Sequence, residues 1–500
     1  MVETVRGGSR LGLWIVLYCT LLGWVVGCAQ EQTLTDSQRT KIAAERKKVV
    51  QKPRRMIFNN DGGDIPRGPE TAQQFLAKRM AGLVDTQVDS IFYCTPYSYQ
   101  IVTAPLVDKD GNPTNKDTLE TAISFAHAYK KELFWSMRMN DSADSSLEGG
   151  LKLNPWKIDY RGLLMAPSHM SFPYGWVNRP SWPWSAMNYE HVEVRAHVFE
   201  VIANVCNQYD VDGIELDFWR WPVFFRPQLF GQPVTQAHCD MMTDLLRQIR
   251  SYAELQGHKR GRPILIAARI PDSVWYAKEV GLDIIQWLDE DLVDMLIGGE
   301  YFQLQPWDHL VRVGKHYNTP VYACLSRSRI PDDTEAFRGE ALAAWEAGVS
   351  GIYTFNDFNI ASPRFRELGD PKLLQTLPRK DKYKLGYLEW MHNQWVGTLL
   401  KDGQRFFDRK LMAKWEEPMP QVFDGINVGF EPGRNLSMVY TTDRYKLSFV
   451  EREGRYELYD ILTDPHERTD LAARMPEVFV PMKEKFDLWR QKNAPILFNP

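Results

Sequence analysis

Eight short apolar runs recur between residues 56 and 356, and helix-periodic stretches separate most of them. The strand-like runs cover 56–61, 90–95, 133–140, 213–218, 264–269, 295–300, 321–326 and 351–356. Helical periodicity falls at 71–83, 119–130, 192–208, 237–255, 282–288 and 335–347. Strands that alternate with helices pair in parallel, because each helix carries the chain back to the start of the sheet. Eight such units predict a (β/α)8 TIM barrel, an α/β fold. An open doubly wound sheet is the alternative, and the lack of a Gly-rich phosphate loop after the first run weakens it.

The rest of the 500 residues frames that domain. Arg6 and Arg10 precede an apolar run from Leu11 to Gly27, the pattern of an export signal over residues 1–28. The run ends Val25-Val26-Gly27-Cys28 and resembles a bacterial lipobox. That predicts lipidation of Cys28 and a membrane-anchored lipoprotein. Ordinary cleavage, giving a secreted or periplasmic protein, and an uncleaved anchor are the alternatives. Residues 29–52 are polar and read as a tether, residues 53–385 as the barrel domain, and residues 386–500 as a small β-rich module. In that module, strands are expected at 439–442, 445–450 and 456–459, and a terminal helix at 476–492. Of six cysteines, Cys19 and Cys28 lie in the leader; Cys94, Cys206, Cys239 and Cys324 are scattered without the spacing of a disulfide framework.

The segment Tyr209-Asp-Val-Asp-Gly-Ile-Glu-Leu-Asp-Phe-Trp-Arg-Trp-Pro222 carries the chemistry. Alternation along a strand puts Glu215 and Asp217 on one face, with Ile214 and Leu216 on the other. Carboxylates on the inward face are costly unless water, partners or a substrate receive them. The C-terminal end of a barrel strand is where catalytic groups sit. A satisfied interior acid is the bland reading, and it weighs more on Glu215, which lies deeper, than on Asp217.

The same segment resembles the signature of the bacterial glycoside-hydrolase-like family 10. Asp210, Val211, Asp212, Gly213, Ile214, Leu216, Asp217, Arg220 and Pro222 stand where that signature has them. The chain departs from it with Glu215 in place of a usual histidine, and with Trp219 and Trp221 in place of smaller residues. The resemblance implies a TIM-barrel glycosidase, often on a lipoprotein, that acts on a saccharide. In family 18 chitinases the corresponding strand ends in a catalytic glutamate, and Trp219 occupies that position here. Residues 437–473, with Met438 to Leu447, Glu457-Leu-Tyr-Asp460 and Asp464-Pro-His-Glu467, resemble the C-terminal subdomain of type I sulfatases. The sulfatase nucleophile pattern Cys-x-Pro-x-Arg is absent; Cys94-Thr-Pro-Tyr-Ser98 comes nearest and lacks the arginine. The segment is therefore read as an accessory module.

Glycoside hydrolysis needs two carboxyl groups flanking the bond to be cut. Asp217 is one candidate, and Glu300, at the end of the sixth run, is the expected second. Glu215 is expected to act as a neighbouring acid that tunes Asp217. Asn59, Asp61, Tyr97, Arg138, Trp219, Arg220, Arg269, Tyr301 and Asp357 are the expected substrate contacts. Trp219 offers a ring for stacking, and the arginines either bind sugar substituents or hold the carboxylates. No metal motif or nucleophile elbow occurs, so no cofactor and no metal are assigned. A net charge of −4 without a basic stripe gives no case for nucleic acid as a partner. The expected partner is a polysaccharide or oligosaccharide.

Overall fold

The computed structural model describes residues 34–61, 69–95, 105–142, 153–166, 183–219, 222–230, 232–299, 305–327, 330, 332–381, 425–430, 436–442, 444–450, 454–460, 463–464 and 469–498. Eight parallel strands close into a barrel. They are β1 (Met56–Asn60), β2 (Val88–Cys94), β3 (Glu132–Arg138), β4 (Gly213–Asp217), β5 (Leu265–Ile270), β6 (Met295–Gly298), β7 (Val321–Ser326) and β8 (Gly351–Phe355). β1 pairs with both β2 and β8, which closes the ring without an exposed edge. The barrel expected from the eight apolar runs is therefore present, with strand ends displaced by at most two residues.

Side chains fill the lumen in layers. At the N-terminal end, Arg54 is 1% exposed and donates to both carboxylate oxygens of Glu132 at 2.6 and 2.9 Å. Ser90 adds a hydrogen bond to Glu132 at 2.7 Å. Above this plug, Phe92 and Phe134 stack with centroids 4.4 Å apart, and Tyr353 meets Phe92 edge-on at 5.6 Å. Gly213 is required beside Phe134, because a β-carbon there would lie 2.2 Å from the phenyl ring. Ile214 and Leu216 point the other way, into the apolar layer beneath the helices.

The outer helices include α1 (Asp36–Val50), α2 (Ala72–Arg79), α3 (Thr118–Ala128), α4 (Val192–Gln208), α5 (Gln236–Arg260), α6 (Ile284–Asp289), α7 (Trp307–Tyr317) and α8 (Thr334–Ala347). The expected tether is corrected here, since most of it is α1, begun by a Thr35–Gln38 capping box. Arg46 docks this helix on the barrel. It is 2% exposed and pairs with Asp294 at 2.5 Å and Asp291 at 2.6 Å. Asp294 also accepts from Arg250 and from the Ile266 amide. The polar composition that suggested a tether reflects a helix held by ion pairs rather than by an apolar stripe. A two-stranded hairpin, Pro105–Val107 with Pro113–Asp117, was not anticipated.

Beyond the barrel, an antiparallel sheet of β9 (Gly425–Phe430), β10 (Leu436–Thr441), β11 (Tyr445–Val450) and β12 (Arg455–Asp460) is followed by a helix, Pro476–Phe498. Tyr440, Leu447, Phe449 and Leu458 pack against Met482 and Phe486 of that helix. The expected leader and Cys28 lie outside the described residues.

Candidate active site

The C-terminal mouth of the barrel is built from the ends of β1, β3, β4, β5 and β8. Asp217 closes β4 and is 2% exposed. Its Oδ2 accepts from Arg269 Nη2 at 2.5 Å, and its Oδ1 accepts from the Trp219 amide at 3.0 Å. Asp217 and Arg269 are register partners on adjacent strands, so the backbone ladder itself presents the pair. The Arg269 guanidinium also lies 4.0 Å from the centroid of Phe355 on β8. This arrangement fixes the Asp217 rotamer in a site shut off from bulk water.

Glu215 lies one pleat deeper and is fully buried. Its Oε1 accepts from the Tyr353 hydroxyl at 2.7 Å. Its Oε2 accepts from Ser136 Oγ at 2.5 Å and Asn59 Nδ2 at 3.3 Å. Burial and then the Asp217 charge push the Glu215 carboxyl up from its ordinary 4.5 to about 7, against the pull of Arg269 and the hydroxyl donors. Glu215 and Asp217 thus share a face, as strand alternation requires, but their surroundings differ. One is braced by a guanidinium, the other by neutral donors. Because the folded-state value exceeds the unfolded one, the stability this group contributes is complete below about 4.5 and is lost as pH rises through about 7. We expect Glu215→Gln to abolish that slope, a relative gain on the order of 3 kcal/mol at pH 8. Urea unfolding at pH 4.5, 6 and 8 measures it, and a parallel slope in the variant would refute the assignment.

The other expected site residues divide four ways. Asp61 and Arg138 are brought together: Arg138 donates to the Asp61 carbonyl at 2.6 Å and pairs with its carboxylate at 3.0 Å. Arg138 also pairs with Asp141 at 2.6 Å. Burial opposes its charge, but the Asp61 and Asp141 carboxylates outweigh burial and hold the guanidinium firmly protonated. Both Arg138 and Arg269 thus hold carboxylates, the second of the two roles expected for them. Asp357 stands apart, beyond β8, after Asn356 in the left-handed region at φ 56°. It accepts from Arg364 at 2.9 Å, and its Oδ1 has no donor among the described residues. Burial raises its carboxyl above the ordinary range. Trp219 offers no open ring face: it is 1% exposed and packs edge-on to buried Tyr276 at 5.6 Å. Tyr97, Arg220, Glu300 and Tyr301 lie outside the described residues.

Comparison with known proteins finds only distant likeness in fold. No family model matches the chain, and no curated protein matches it. The PgaB (BpsB) glycoside hydrolase domain from Bordetella bronchiseptica aligns at 14% identity and TM-score 0.42, covering 64% of this chain and 99% of that one. A glycoside hydrolase family 18 N-acetylglucosaminidase from Paenibacillus barengoltzii aligns at 11% identity and TM-score 0.36, covering 64% and 99%. An alpha-L-fucosidase from Paenibacillus thiaminolyticus aligns at 13% and 0.38, covering 64% and 49%. These neighbours are glycosidase barrels. Likeness at this level says nothing about substrate, and the barrel assignment stands on the strand order itself.

Ser136, Tyr353 and Asn140 were not among the residues expected at the site. Ser136 has the strand parity of Arg138, so its inward position was available from alternation. Tyr353 was not distinguishable from an ordinary core aromatic. Asn140, 1% exposed, follows β3 and stitches two loops over the mouth. Its Nδ2 donates to Met187 O at 3.0 Å and Val223 O at 2.6 Å, and its Oδ1 accepts from the Met187 amide at 2.9 Å. Replacing it with alanine strands three buried backbone groups. We expect Asn140→Ala to cost roughly 2–3 kcal/mol in urea unfolding; an unchanged midpoint would show that the loops hold without it.

Proposed function

We propose that this protein is an exported glycoside hydrolase that cleaves glycosidic bonds of a polysaccharide through a pair of carboxyl groups, without a cofactor. The observation that carries the reading is Asp217: a carboxylate at the C-terminal end of a barrel strand, fixed by Arg269 and a backbone amide, above a second acid with a raised pKa. Burying two acids this close to each other is a cost that a purely structural barrel interior avoids. The glycosidase barrels it resembles in fold share the scaffold but carry no part of this argument.

In the proposed mechanism Asp217 and Glu300 flank the bond, one as acid and the other as nucleophile or base. Glu215 tunes Asp217 from below. Their separation decides the stereochemical outcome: about 5–5.5 Å for retention, about 6.5–9.5 Å for inversion. Lipid anchoring through Cys28 would hold the enzyme at a membrane surface, and the C-terminal sheet is proposed as an accessory module.

A saccharide-binding lipoprotein without turnover is the second reading. One observation favours it: Arg269 neutralises Asp217 in a close ion pair. The deciding experiment is reducing-end release from cell-wall, neutral plant and sulfated algal polysaccharides, with wild type beside Asp217→Asn. Turnover by wild type alone supports the hydrolase. Binding by both forms without turnover supports the binder.

A further inference from the structure

Glu215 receives hydrogen bonds from three strands, and one of them crosses the whole lumen. β8 lies opposite β4 in the closed ring, four strands away in either direction. From there the Tyr353 hydroxyl donates to Oε1 at 2.7 Å, whereas Ser136 and Asn59 both reach Oε2. The Tyr353 ring cannot easily swing aside, because Phe92 packs on it edge-on, at an interplanar angle of 87°.

We infer that Tyr353 is a positioning residue: its hydroxyl, acting through Glu215, sets the charge that Asp217 and Arg269 experience from below. The inference rests on the reading of Asp217 as the working carboxyl.

The argument is a competition. A donor to a carboxylate favours its charged form, whereas burial and a like charge favour the neutral one. Tyr353 and Ser136 pull Glu215 towards ionisation; burial and Asp217 push it the other way. Tyr353 stays a donor throughout, because burial and then Glu215 hold its phenol well above its ordinary range. The other groups facing this layer are Asn59 from β1, the buried thiols of Cys94 and Cys324 from β2 and β7, Arg138 from β3 and Arg269 from β5. With Glu215 neutral, Asp217 is the one of the two β4 acids whose charge faces Arg269. With Glu215 ionised, two carboxylates draw on one guanidinium, and the field at Asp217 changes without any movement of the backbone.

Tyr353→Phe tests this, since it keeps the packed ring and removes one donor. The midpoint of Glu215 ionisation should rise by about one pH unit. The midpoint is read as the pH dependence of Tm in the full chain, and also as a limb of the kcat profile on whichever polysaccharide is turned over. Glu215→Gln should lack the transition in both readouts. The melting experiment needs no substrate, so it decides the inference even if no glycan is cleaved. An unchanged midpoint in Tyr353→Phe overturns it. So does a midpoint that moves in the melts while the kcat limb stays in place. Should that variant fail to fold, 3-fluorotyrosine at position 353, a more acidic donor, must lower the midpoint. Failure to do so is equally decisive against the role.

Discussion

Asp217→Asn is expected to abolish polysaccharide cleavage, with kcat lowered by roughly 10²–10⁴-fold or more. Asparagine keeps the shape and the contact with the Trp219 amide, but it can neither hold a negative charge nor exchange a proton. The substitution also leaves Arg269, 0% exposed, facing a neutral partner. Part of any loss could then come from unfolding, so urea curves must accompany the kinetics. A variant that is folded at the assay temperature and inactive identifies Asp217 as a reacting group. A folded variant with wild-type turnover would move the chemistry elsewhere in the mouth, and Asp357, with its raised pKa and strained approach through Asn356, would become the first place to look.

Removing the other half of the pair is expected to give the largest stability effect. Arg269→Met keeps the aliphatic stem yet leaves a buried carboxylate without its cation. Breaking a buried ion pair from one side costs about 3–5 kcal/mol. Loss of the desolvated stacking on Phe355 adds about 2 kcal/mol. The double variant Asp217→Asn/Arg269→Met separates the terms. If the pair is coupled, the double variant will be more stable than the sum of the single losses predicts, by at least about 1 kcal/mol. Strict additivity in denaturant unfolding would mean that Arg269 is anchored by its other surroundings and not by Asp217. The prediction bears on function too, because an arginine committed to a carboxylate is not free to grip an anionic sugar.

These two residues also show what was legible before the fold was known. Alternation along β4 placed Glu215 and Asp217 on one face, because a strand has a period of two and β4 pairs with both neighbours without a register shift. A different regularity, eight apolar runs with helix-periodic stretches between most of them, made the barrel readable. The N-terminal helix misled for the opposite reason. Its polar sequence has no apolar stripe, and the ion pairs that dock Arg46 onto Asp291 and Asp294 join positions 245 and 248 residues apart, invisible to any local pattern.

The choice among roles needed three dimensions as well. By itself the sequence determined the barrel, the β-rich module, and the shared face of Glu215 and Asp217, since each follows from local periodicity and backbone geometry. Only the tertiary structure decided that Arg138 and Arg269 brace carboxylates, that Trp219 is buried, and that Tyr353 reaches Glu215 across the lumen. A hydrogen bond or ion pair depends on distance to within a few tenths of an ångström. Closing the ring brings β4 and β8, some 140 residues apart, to that distance.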